Sequence, residues 1–104
     1  MQVKVQVVPE ASVELVDAAD CSRLEVLVDK DATDEAVEQV LTANGVGALH
    51  GDDVRLDGAW LCREALSGRP PADPNEFGTM MTYASSQGWV DMAAGWIQAH
   101  VVRV

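Results

Sequence analysis

The chain ends in GWVDMAAGWIQAHVVRV, and no other stretch limits its fold as much. Ala93-Ala94-Gly95 has the pattern of a three-residue hairpin loop, a turn closed by a glycine in the left-handed conformation. With Met92 opposite Trp96, strand alternation puts Val90, Met92, Trp96, Gln98, His100 and Val102 on one side. Trp89, Asp91, Ile97, Ala99 and Val101 take the other. Both sides are mostly apolar, whereas a surface hairpin of a small protein has one polar face. Two covers are therefore needed, one from the helices and the other from the chain's own strands, a second copy or a ligand. The final strand, long and poor in charge, reads as a sheet edge open to pairing. Trp89, Met92, Trp96, Gln98 and His100 are the candidate interaction or pocket residues.

The rest of the chain supplies the elements that such a hairpin must pack against. Val3, Val5 and Val7 alternate with Gln2, Lys4 and Gln6, the period of a strand with one buried face, and Pro9 is expected to end it. SVELV predicts a second strand joined to the first as a hairpin. DAADCSR reads as a loop, and LEVLVD as a third strand with Leu24, Val26 and Val28 inward.

A helix follows, capped by Asp31 or Thr33 and closed by Gly45, with Val37, Val40 and Leu41 on its buried face. VGALH and VRL flank Gly51-Asp52-Asp53 and predict a short hairpin. Asp57-Gly58 is a hairpin dipeptide, yet AWLCREAL is rich in helix formers and favours a helix from about Ala59 to Ser67, with Asp57 as its cap. In DPNEF, Asp73 can cap, Pro74 suits the first helical position and Glu76 can complete a capping box. Phe77, Met80, Met81 and Ala84 then form an apolar stripe that ends at Gly88. The expected architecture is one α+β domain over residues 1–104, an antiparallel sheet with two to three helices, in which a helix followed by a hairpin occurs twice.

Charge narrows the function. Seventeen acidic residues against seven basic ones give a net charge of -10, which repels phosphate backbones and anionic lipid, so neither nucleic acid nor membrane is the expected partner. Ten of the carboxylates fall between Glu10 and Glu38, with Arg23 and Lys30 the only bases there, a solvated acidic face that a basic surface could read. No stretch has the run of about 18 apolar residues that a membrane helix needs, and MQVKVQVVPE has no signal-like apolar run. The expectation is a cytoplasmic protein in which Cys21 and Cys62 are reduced thiols.

Motifs that would carry a chemistry do not appear in the sequence. There is no C-x-x-C, H-x-x-x-H or H-E-x-x-H, and His50-Gly51-Asp52-Asp53 is explained by a turn. Asn44-Gly45-Val46-Gly47 follows a helix and enters a strand, the reverse of a phosphate-binding loop. Cys62 falls in an apolar helical pattern, and neither histidine has an evident nucleophile. No catalytic, metal or cofactor residue is assigned, and no cofactor is expected. The sequence points to a small non-catalytic domain that works through a protein partner or self-association, as a homodimer and accessory or regulatory subunit. The alternative is a small-molecule-binding or enzymatic domain with its pocket at the terminal hairpin.

Overall fold

The computed structural model describes residues 1–8 and 10–104, so the expectation for Pro9 lies outside the described residues. The elements are β1 (Gln2–Gln6), β2 (Ser12–Val16), β3 (Glu25–Val28), α1 (Asp34–Ala43), β4 (Gly47–His50), β5 (Asp53–Asp57), α2 (Gly58–Leu66), α3 (Pro74–Ser86), β6 (Val90–Asp91) and β7 (Trp96–Arg103). The fold is α+β with three helices among the described residues. The segment that reads both as hairpin and as helix is a helix, with the Asp57 carboxylate accepting from the Ala59 amide at 3.1 Å.

The sheet is mixed, not antiparallel as the alternation suggested. Its order is β2-β1-β3-β7-β5-β4, with β1, β3 and β7 mutually parallel and β6 added beside the start of β7. Strand periodicity says which face a residue takes, but not which strand lies beside it. The connection at 17–24 is long enough to step across the start of β1, where the Glu25 amide meets the Met1 carbonyl at 3.3 Å. That step delivers β3 to the far side of β1, running in the same direction.

A second correction concerns β7, which is central and not an edge. β5 pairs with it along Asp53–Asp57, and its other edge is shared by β6 at its start and β3 at its end. Eight residues provide the length for two partners in succession. The terminal hairpin is also shifted by one residue. Asp91 lies opposite Trp96 and Val90 opposite Ile97, so the loop is the four residues Met92–Gly95. The Asp91 carboxylate accepts from the Ala94 amide at 2.9 Å, which starts the turn one position early, while Gly95 takes the expected positive φ of 77°. Val90 thereby moves to the side of Ile97, and Met92 leaves the strand altogether.

All three helices cover one side of the sheet. Val3, Val5, Val26, Val28, Val54, Leu56, Ile97 and Ala99 face inward and form one core with Val37 and Leu41 of α1, Trp60 and Leu61 of α2, and Phe77 and Met80 of α3. Each fully buried leucine or isoleucine in that core contributes about 1.5–3 kcal/mol.

The ends of α1 and α3 follow one design, which accounts for the repeated helix-then-hairpin order. Past the cap of α1, the Gly45 amide donates to the Thr42 carbonyl at 3.1 Å and the Val46 amide to Leu41 at 3.0 Å. Past α3, Gly88 donates to Ser85 at 3.1 Å and Trp89 to Ala84 at 3.0 Å. These paired bonds are Schellman motifs, and a left-handed glycine in each turns the chain back toward the sheet.

Candidate interaction surfaces

The side of the sheet without helices is built from the alternate residues of every strand. Opposite Val54 and Leu56, β5 turns Asp53, Arg55 and Asp57 outward, and β7 turns Trp96, Gln98, His100 and Val102 the same way. Cross-strand register sets Asp53 against His50 of β4 on one side and His100 of β7 on the other, with Glu25 of β3 beyond His100. Both histidines of the chain thus flank a single aspartate. Leu27 and Val102 form the next row, also half-buried and paired across β3 and β7.

Arg55 is the centre of this surface. Its guanidinium carbon lies 4.3 Å from the Trp96 ring centroid, a cation–π contact. Its Nη2 is 3.1 Å from His50 Nε2, and since a guanidinium only donates, that nitrogen accepts. Arg55 Nε is buried and makes no hydrogen bond. Among the described residues no carboxylate forms an ion pair with Arg55, and Asp53 has other partners. One Asp53 oxygen accepts from Gln98 Nε2 at 2.9 Å, and the other lies 3.4 Å from His100 Nδ1.

An aspartate beside a histidine can orient a base, but the neighbours of His100 on this face are Asp53, Glu25, Gln98 and Val102. None is a hydroxyl or thiol that the imidazole could activate. Among the described residues, no three His, Cys, Asp or Glu side chains converge to hold a metal ion.

Of the sequence candidates, Trp96, Gln98 and His100 therefore meet on one face, joined by Asp53, Arg55 and His50. Outward positions of β5 are legible from its alternation, but the pairing of β5 with β7 is not, so these three partners have no sequence signal of their own. Trp89 lies elsewhere. Its ring meets Tyr83 of α3 edge-on, with centroids 5.9 Å apart and planes at 77°. Met92 opens the loop and is 87% exposed.

Tyr83 also bounds a cleft of about 680 Å³ between the 17–24 connection and α3, with Cys21, Met80, Asp20 and Glu76 in its walls. Asp73 begins that helix and accepts from the Asn75 amide at 2.8 Å and the Glu76 amide at 3.2 Å. The Asp20 carboxylate accepts from the Ser22 hydroxyl at 2.5 Å and the Ser22 amide at 3.0 Å, which hold its pKa below the usual carboxylate range. The Cys21 thiol is pushed above its ordinary range, first by burial and then by the negative charge of Glu76. Nothing in the helix stripe or in DAADCSR indicates that these two segments meet.

No helix among the described residues is long and apolar enough to cross a membrane. Compared with protein-family models, curated proteins and solved structures, the chain finds no match.

Proposed function

We propose that this protein is a non-catalytic interaction domain that self-associates through the helix-free face of its sheet. The observation that carries this reading is Arg55, a guanidinium stacked on Trp96 with one buried donor unused and no ion-pairing carboxylate among the described residues. A buried donor without an acceptor costs about 1–3 kcal/mol, so it favours an arrangement in which a second molecule changes its surroundings. Half-buried Trp96 beneath it, and half-buried Leu27 and Val102 two rows along the same face, offer apolar area to the same neighbour.

Charge favours this face over the others for contact between copies. It carries Lys4 and Arg55 against Glu14, Glu25, Asp53, Asp57 and Asp91, a local balance of -3 in a chain of -10. In a two-fold packing the same patch meets itself, so Arg55 of one copy can approach Asp57 of the other. The extent of the surface sets the strength. Six strands at about 4.8 Å by five residues at about 3.3 Å give roughly 480 Å² of projected area per copy. Two such faces fall below the ~1,200 Å² that marks the lower end of stable interfaces, which supports a reversible dimer.

Sedimentation equilibrium tests the reading. The expected mass rises from one chain toward two between about 10 μM and 1 mM, and Arg55→Glu abolishes the rise. A single-chain mass across that range rejects it. So does a dimer that Arg55→Glu leaves intact.

A further inference from the structure

The cleft between α3 and the 17–24 connection lies on the helix-bearing side of the molecule and is separate from the face described above. Its floor is apolar and its rim is acidic. Cys21, Met80 and Tyr83 line it together with Asp20 and Glu76, and no lysine or arginine is among its lining residues. Tyr83 is 59% exposed and Trp89, edge-on to it, is 41% exposed, so two aromatic rings stand against solvent at its end. Aromatic area exposed as a contiguous patch marks contact surfaces more often than chance placement. Inside the cleft Glu76, Asp20 and Asp73 oppose ionisation of the Cys21 thiol, and the Met1 ammonium, which donates to the Asp20 carbonyl at 2.7 Å, offsets them in part.

We infer that this cleft docks a basic amphipathic segment of a partner protein, one that sets apolar side chains against Met80 and Tyr83 and lysine or arginine against Asp20 and Glu76. Charge decides among the occupants. A second copy brings another -10 to an already negative rim, and the chain has seven basic residues with which to offset it. A nucleic acid or other polyanion is repelled more strongly still. A cationic segment is attracted over the whole surface before contact, which speeds its encounter and makes the rate sensitive to salt. The cleft, open to solvent and flanked by exposed rings, suits the ridge of a helix in a groove, where a few apolar anchors supply affinity and charges set orientation.

The test uses the intact chain and two synthetic amphipathic helices, one of leucine and lysine, the other of leucine and glutamate, titrated by calorimetry. The leucine–lysine peptide binds at one site and shields Cys21 from iodoacetamide, with Cys62 in the same digest as the internal standard. Tyr83→Ala and Glu76→Gln each weaken binding by about tenfold. Glu35→Gln, which removes an equal charge from the exposed first turn of α1, has little effect. The proposal fails if both peptides bind equally, or if Glu35→Gln costs as much as Glu76→Gln. It fails as well if Cys21 reacts at the same rate with and without peptide, a readout that needs no variant. Arg55→Glu leaves this binding intact, so loss of self-association and loss of peptide docking are separable.

Discussion

The Glu38 carboxylate of α1 accepts a hydrogen bond from the Leu49 amide of β4 at 2.6 Å. Leu49 lies opposite Val54 in a position whose amide points away from β5, so the helix occupies a donor on the outer edge of the sheet. Glu38→Ala uncovers that donor. The expected loss is about 1–2 kcal/mol in urea unfolding, accompanied by time-dependent aggregation that the parent chain does not show.

Gly47 begins β4 where the two backbones come closest. A Cβ there would sit 2.2 Å from the Arg55 carbonyl oxygen and 3.0 Å from Leu56 Cα, both backbone atoms that cannot turn aside. Gly47→Ala is expected to cost about 2–3 kcal/mol, because the hairpin must part to admit one methyl group. Gly78→Ala is the control, with open space at the added carbon, and should stabilise α3 by up to about 1 kcal/mol.

Arg55 and Trp96 form a pair whose coupling is measurable. A double-mutant cycle with Arg55→Ala and Trp96→Ala, measured below the self-association range, should give about 0.5–1 kcal/mol for the cation–π contact. Additive effects of the two substitutions mean the contact contributes nothing beyond area.

Cys21 gives the pH dependence its sign. Its thiol pKa is raised in the folded chain, so the folded state holds the proton more tightly than the unfolded state. That contribution is complete below the unfolded thiol pKa of about 8.5 and is lost as pH rises through the folded value. Iodoacetamide should accordingly label Cys21 more slowly than an unfolded cysteine at pH 8, and Glu76→Gln should speed it.

Much of this fold could be read in the sequence because its punctuation is chemical. Asp57, Asp73, Gly45 and Gly88 mark helix ends through groups that hydrogen-bond or adopt a positive φ within a few residues of themselves. Thr33, not Asp31, caps α1, with its hydroxyl 3.1 Å from the Ala36 amide, a choice that depends on the path of the chain before it. Strand neighbours were not readable, because the alternation of Leu24, Val26 and Val28 is the same whichever strand lies alongside. Half of the candidate surface was legible for that reason. Trp96, Gln98 and His100 share a face by spacing alone, whereas Asp53, Arg55 and His50 join them only through the β5–β7 and β4–β5 registers.

The distribution of helices over one side of the sheet leaves the three tryptophans in three different surroundings. Trp60 is 7% exposed in the core, Trp96 lies under Arg55 on the open face, and Trp89 stands beside Tyr83 at the cleft. Each optical transition therefore belongs to a separate compartment. Intrinsic emission from variants that keep one indole apiece should follow unfolding, pairing of copies and peptide docking as three independent signals from an unlabelled protein.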